Sequence, residues 1–125
     1  MGVKEITMTL DKTYQGVSLS QGTMLERDLV PTFLRFLSKI EGKEILSYVE
    51  QLSLENKAAL LCWLVGVDVD LATPQAQDEM SWFLWEVLVE ALNDIAPEGC
   101  YFGSHPGDGA DYGFWPNEDL WEEEE

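Results

Sequence analysis

One stretch near the end of the chain constrains its fold more than any other: Tyr101 to Trp115, which reads Tyr-Phe-Gly-Ser-His-Pro-Gly-Asp-Gly-Ala-Asp-Tyr-Gly-Phe-Trp. The aromatic pairs at its ends, Tyr101-Phe102 and Phe114-Trp115, favour a pleated, half-buried surface. Between them lie Gly, Pro, Ser and Asp, the residues of a reversal. The pattern predicts a β-hairpin with a longer loop. Gly107 and Gly109 are expected to supply the positive φ of that reversal. The loop also holds the chain's one histidine, His105, and two acids, Asp108 and Asp111.

Charge is the second constraint. The formal net charge is −17 in 125 residues, and the last base is Lys57. Residues 61–125 carry sixteen acids and no Lys or Arg, whereas residues 1–60 carry eight acids and seven bases. Phosphates would be repelled, so direct binding of nucleic acid or of an anionic membrane is disfavoured. A basic protein surface or a cation fits. Solubility alone is the bland explanation of such a charge. The length suits one domain, residues 1–116, followed by an acidic tail, residues 117–125, of disordered composition. No apolar run approaches the roughly 20 residues of a membrane span. The first ten residues lack a signal-peptide core, and a cytoplasmic setting is expected. Cys62 and Cys100 read as reduced, buried thiols.

Residues 3–10 alternate apolar and polar, and Val17 and Leu19 resume the alternation, so an N-terminal strand pair is expected. For the first helix two caps compete: Thr23, with Glu26 three residues on, and Asp28. We favour Asp28, because it places Pro31 in the first turn, where a missing N–H does no harm. Leu29, Phe33, Phe36, Leu37 and Ile40 then form the inward face, and Gly42 ends the helix. A short helix over 43–52 follows, with Ile45, Leu46, Val49 and Leu52 inward. Ser53 caps a third helix. Its segment Ala58–Val65 is apolar all round and is expected to be buried, up to Gly66. Val67–Leu71 alternates and reads as a brief strand or a loop.

Thr73-Pro74 opens the longest helix, with an N-cap followed by proline at the first position. It runs to about Asp94. Phe83, Leu84, Val87, Leu88, Ala91, Leu92 and Ile95 form its buried face. Glu79, Glu86, Glu90 and Asp94 follow at spacings of seven, four and four, one column on the opposite side. Like charges four apart cost a helix a few tenths of a kcal/mol, so this column suits a binding role as well as a solvated face. Trp82 and Trp85, three apart, cannot both sit at the centre of the inward face. Exposed Trp marks protein interfaces, which here means a partner, a homodimer, or the boundary of the core. In the tail, Leu120 and Trp121 stand among acids and suit docking on a partner or on the chain's own domain.

Four chemistries compete. A hard cation between Asp108 and Asp111 is one, although the full calcium loop is absent. The competing role of these acids is to accept backbone N–H bonds within a turn. Nucleophilic catalysis by Cys100 and His105 is another, but no catalytic motif accompanies them. The Trp pair as an interface is the third. The fourth is charge mimicry, in which carboxylates imitate duplex phosphates through the acid column, Asp68, Asp70 and Glu122–Glu125. No motif calls for a cofactor or a metal.

Two stretches resemble a known family. Ser20-Gln21-Gly22-Thr23-Met24 leading to Asp28-Leu29-Val30-Pro31-x-Phe33 is similar to its N-terminal motif. Leu92-Asn93-x-x-Ala96-Pro97-Glu98-Gly99, followed by Phe102-Gly-Ser-His-Pro-Gly-Asp-Gly-Ala-Asp-Tyr-Gly-Phe-Trp115, is similar to its C-terminal one. The family comprises small acidic proteins of uncharacterised function from bacterial plasmids, integrated conjugative elements and phages. The motifs span about a third of this chain; Ile40 to Thr73 has no counterpart, and the segment before Ser18 looks like an addition. The family has no assigned catalytic residues, so the resemblance transfers none. It implies a mobile-element setting, where small acidic proteins often block defence enzymes.

The expectation is therefore an α+β fold: about four helices and a small antiparallel sheet that includes a C-terminal β-hairpin. The expected function is non-enzymatic protein binding, an anti-CRISPR or anti-restriction inhibitor and DNA mimic aimed at a basic nucleic-acid-binding protein. Its partner-binding residues would be Glu79, Glu86, Glu90, Asp94, Trp82, Trp85 and Trp121. The alternative is a small hydrolase or metal-dependent enzyme centred on the loop of His105, Asp108 and Asp111.

Overall fold

The computed structural model describes residues 9–116. Of the strand expected over residues 3–10, residues 3–8 lie outside the described residues, as do the tail 117–125 with Leu120 and Trp121; residues 9 and 10 are not in a strand. The fold is α+β: among the described residues, four helices and a three-stranded antiparallel sheet. No helix among the described residues is long and apolar enough to cross a membrane. The chain divides into two compact units, Thr23–Val89 and the residues on either side of it.

The Thr23–Val89 unit is helical. Helix α1, Glu26–Glu41, follows an N-cap at Leu25, three residues before the Asp28 cap expected from the sequence. The Leu25 carbonyl accepts from both Asp28 N–H (3.0 Å) and Leu29 N–H (2.9 Å). The Thr23 hydroxyl accepts from Leu25 N–H (3.2 Å) and donates to Asp28 Oδ2 (2.6 Å). Asp28 thus works inside the first turn, beside the positive end of the helix dipole, rather than as the cap. Pro31 consequently lies within the helix and leaves the Arg27 carbonyl without its usual N–H. Leu29, Val30, Phe33, Leu34 and Leu37 are wholly buried, whereas Phe36 and Ile40 sit at the edge of that face. Gly42 ends the helix in the left-handed region (φ 70°), and Gly42 N–H and Lys43 N–H both donate to the Ser38 carbonyl.

Helix α2 covers only Ile45–Val49. Val49 and Leu52 are buried, but Leu46, expected inward, is 58% exposed. Helix α3, Leu54–Leu64, is capped by Ser53, whose side chain accepts from Asn56 N–H at 3.3 Å. It is not buried on all sides. Ala59, Leu60 and Trp63 face inward, and Leu54, Leu61 and Val65 face out. Cys62 and Leu64 are half-buried. Val67–Leu71 has no regular structure; it is held by Trp63 Nε1–H donating to the Val69 carbonyl at 2.9 Å.

The fourth helix is unbroken in sequence but not uniform. Thr73 caps α4, Pro74–Trp82, by accepting from Ala76 N–H, with Pro74 in the first position. A π-helical segment, Phe83–Leu88, follows, in which Val89 N–H donates five residues back to the Leu84 carbonyl. The segment α5, Val89–Asp94, returns to α-helical bonding. The sequence pattern had suggested one α-helix. The π turn takes an extra residue, so the simple column expected of Glu79, Glu86, Glu90 and Asp94 is broken within its first step. Phe83, Leu84, Leu88 and Leu92 are fully buried, while Val87 and Ala91 are only partly so.

In the other unit, β2 (Cys100–His105) and β3 (Asp108–Pro116) form the C-terminal hairpin, and β1 (Ser18–Ser20) pairs with the far side of β3. The aromatic ends pair as expected, Tyr101 opposite Trp115 and Phe102 opposite Phe114. The rings of Phe102 and Phe114 meet at 5.1 Å. What read as a long loop is mostly strand. Gly103 pairs with Gly113 and Ser104 with Tyr112, so the reversal shrinks to Pro106-Gly107 with a bulge in β3 after Asp108. Neither Gly107 nor Gly109 has a positive φ. The decisive glycine is Gly113. A Cβ there would lie 2.3 Å from the Val17 carbonyl oxygen and 2.8 Å from Ser18 Cα. Only glycine lets β1 approach β3 closely. Asn93 Oδ1 accepts the Phe102 N–H at 3.0 Å, so this outward-facing donor of edge strand β2 is satisfied.

Candidate functional site

The hairpin gathers His105, Asp108 and Asp111 and uses one polar side-chain atom of each internally. Asp108 Oδ1 accepts Ala110 N–H at 3.1 Å, closing a local turn. Asp111 Oδ1 accepts the Ser18 hydroxyl at 2.6 Å and so ties β1 to the bulge of β3. His105 Nδ1 accepts Gly107 N–H at 2.9 Å, and its ring stands edge-on to Trp115 at 4.7 Å. The indole N–H of Trp115 in turn donates to the Gly103 carbonyl at 2.9 Å. His105 and Asp108 are exposed. These bonds hold the reversal together. Among the described residues no group of three or more His, Cys, Asp or Glu could hold a metal ion. Cys62 and Cys100 are free thiols, and burial pushes the Cys100 thiol above its ordinary range, which suppresses the thiolate.

The acids and tryptophans of the fourth helix fare differently from one another. Within the Thr23–Val89 unit, Trp82 is 43% exposed and Trp85 38% exposed, with Glu86 exposed beside them. The π segment keeps Phe83, Leu84 and Leu88 inside and leaves Trp85 and Glu86 exposed, next to the exposed Trp82 at the end of α4. Such segments recur at functional sites, and large amphipathic rings are the residues that anchor interfaces. In the other unit Glu90 and Asp94 are exposed as well.

Glu79 does not belong with these acids. Its carboxylate accepts the Ser53 N–H through both oxygens (3.1 and 3.2 Å) and the Asn56 Nδ2–H at 2.6 Å. It sits at the N-terminus of α3, where a negative charge is favoured. Desolvation would raise its pKa, but the bonds from Ser53 and Asn56 outweigh that and hold the carboxyl below its ordinary range. Glu79 is a staple between α3 and α4. Asp68 and Asp70, read from sequence as part of a phosphate-like surface, lie 3.3 and 3.8 Å from the same Arg27 guanidinium, which offsets one of their two charges.

Sequence reasoning missed Asn56, the one buried polar side chain of the described residues. Its amide also donates to the Ala76 carbonyl at 3.0 Å. A lone Asn in the first turn of an apolar helix was the available signal. It also missed Ser18 as the partner of Asp111, because ninety-three residues separate them.

No family model, curated protein or solved structure matches the chain.

Proposed function

We propose that the protein acts by binding another protein, as an inhibitor of a basic nucleic-acid-handling defence enzyme of the CRISPR or restriction kind. Its carboxylates take the place of duplex phosphates. One observation carries the reading: sixteen acids and no base beyond residue 60, with Glu86, Glu90 and Asp94 all exposed and in none of the ion pairs described. A field of one sign steers a basic partner into encounter and is screened by salt. Trp82 and Trp85 supply apolar anchors that a purely electrostatic contact would lack. The resemblance of the two terminal motifs to proteins of plasmids, conjugative elements and phages supports the same setting.

The test is charge reversal. Glu86→Lys, Glu90→Lys and Asp94→Lys together leave the Glu79 staple intact and alter only exposed positions. Binding to the captured partner should fall at least about ten-fold, the effect of several screened surface charges acting together. The proposal fails if the triple variant, folded as judged by circular dichroism, binds its partner as wild type does.

A further inference from the structure

Residues 67–71, Val-Asp-Val-Asp-Leu, alternate as a strand does but pair with no strand among the described residues. They lie within the Thr23–Val89 unit, and residues 67–72 contain no turn or bend. Their hydrogen bonds alternate too. Val67 N–H donates to the Cys62 carbonyl at 2.8 Å. The Val69 carbonyl accepts Trp63 Nε1–H at 2.9 Å, and the Leu71 carbonyl accepts Gln77 Nε2–H at 3.1 Å. In an extended chain the N–H and C=O of one residue point to the same side, and those of the next residue to the other. Residues 67, 69 and 71 thus turn their backbone toward α3 and α4, and Asp68 and Asp70 turn theirs away. Among the described residues, the N–H and C=O groups of Asp68 and Asp70 have no hydrogen-bond partner, and both residues are exposed. The edge ends at Ala72, whose N–H donates to Glu55 Oε2 at 3.0 Å.

An unpaired strand edge is a template for another strand, and charge decides which strand it accepts. Arg27 Nη1 lies 3.3 Å from Asp68 and 3.8 Å from Asp70, so both carboxylates stand on one face of the segment, as alternation requires. Two clefts adjoin the segment, of about 200 and 450 Å³. Arg27 lines both; Asp28 and Asp68 line the first, and Glu26 and Asp70 the second. One guanidinium therefore stands among four carboxylates. A second copy of the segment would set Asp68 and Asp70 against their own kind, and like charges directly opposite are unfavourable. Any acidic strand is rejected in the same way.

We propose that residues 67–71 form an edge at which an extended, basic segment of a partner protein adds as a strand. Its alternate Lys or Arg residues stand opposite Asp68 and Asp70 and exchange main-chain bonds with their unpaired N–H and C=O groups. The main-chain bonds give affinity, and the cross-strand charge pairs select the sequence. Bonds at Val67, Val69 and Leu71 already hold the segment extended, so docking orders little of this chain. The site lies on a different stretch from Glu86, Glu90 and Asp94 and does not rest on the mimicry of duplex phosphates.

The experiment uses the full chain and three short fluorescein-labelled peptides. One alternates Lys and Thr, one is the same peptide N-methylated at its Lys residues, and one alternates Glu and Thr. N-methylation removes the donors of the proposed register and keeps the charge. It therefore separates strand addition from general attraction to a chain of net charge −17. At physiological salt the Lys-Thr peptide should bind about ten-fold tighter than its N-methylated form, and the Glu-Thr peptide should bind more weakly than either. Hydrogen exchange of the Asp68 and Asp70 amides should slow in the complex. Asp68→Lys with Asp70→Lys, both at exposed positions, should weaken the Lys-Thr peptide about ten-fold. The Glu86→Lys, Glu90→Lys, Asp94→Lys protein should keep the preference for the unmethylated peptide. The proposal is overturned if no peptide binds, if the N-methylated or the Glu-Thr peptide binds as well as the Lys-Thr peptide, or if the Asp68 and Asp70 amides gain no protection. It is also overturned if reversing both charges leaves binding unchanged, or if the preference is lost in the Glu86→Lys, Glu90→Lys, Asp94→Lys protein.

Discussion

Replacing Glu79 with Ala tests the staple directly, and its cost follows from the bonds it makes. The carboxylate satisfies the Ser53 N–H, which water can reach after the change, and the Nδ2–H of Asn56, a side chain with no exposed surface. Losing a partner for an exposed donor costs about 0.5–1.5 kcal/mol, and leaving a buried donor unpaired about 1–3 kcal/mol. Water entering the space left by the side chain offsets part of the second figure. We expect about 2–3 kcal/mol by urea unfolding followed through tryptophan fluorescence, with an unchanged m-value. Asp78→Ala, one residue away and exposed, should cost less than about 0.5 kcal/mol.

Acidity gives the second arm of the test. The carboxyl is held below its ordinary value of 4.5 in the folded chain. The folded state therefore binds this proton less readily than the unfolded state. The stabilisation is fully present above the unfolded value and disappears as pH falls through the lower, folded one. Glu79→Gln, which keeps the shape without the charge, should cost about 1 kcal/mol at pH 7, in the range of a charge-assisted bond made neutral, and progressively less as the pH falls below 4.5. The staple is refuted if Glu79→Ala matches Asp78→Ala at pH 7, or if the deficit of Glu79→Gln stays constant from pH 7 to pH 3.

Gly113→Ala should destabilise the fold by about 1–3 kcal/mol, the usual range for overpacking, since the added methyl meets the Val17 carbonyl at 2.3 Å; a melting temperature equal to wild type would contradict the close approach of β1. His105→Ala should lose one ring contact and one turn bond, lowering stability by no more than about 1.5 kcal/mol, and should leave partner inhibition intact; loss of activity in a folded His105→Ala protein would return the weight to the enzymatic alternative. A thermal shift on titration with Ca²⁺, Mg²⁺ or Zn²⁺ that vanishes in Asp108→Ala would do the same. Cys100, its thiol pushed up by burial, should react with iodoacetamide at pH 8 well below the rate of a free small thiol; reaction at the free rate would show that the site is open.

Much of the fold is legible in the sequence because local chemistry decides it. Ser53 and Thr73-Pro74 start helices wherever they stand before a suitable run, and Gly42 stops one. The aromatic ends of the hairpin pair in register because both want the same half-buried surface. The misreadings arise where a distant segment intervenes. Glycines and small polar residues from 103 to 113 look like a loop until β1 is known to need Gly113 bare and Asp111 as the partner of Ser18. Asp28 looks like a cap until Thr23 is seen to hold it inside the first turn. Helix α3 looks buried because composition records how apolar a helix is, not how many neighbours it has. The candidate site shows the same division. Helical spacing requires only that one of Trp82 and Trp85 leave the inward face, and both are exposed, whereas the removal of Glu79 from the acidic surface required the position of Asn56.

The most direct measurement of the central claim is a pull-down on the immobilised protein from a bacterial lysate at low salt, eluted by rising NaCl and, in parallel, by added duplex DNA. Mimicry of phosphates predicts that nucleic-acid-binding enzymes are retained, that moderate salt releases them and that duplex DNA competes them off. Retained proteins that resist both salt and DNA, or that bind the Glu86→Lys, Glu90→Lys, Asp94→Lys protein equally well, would contradict it.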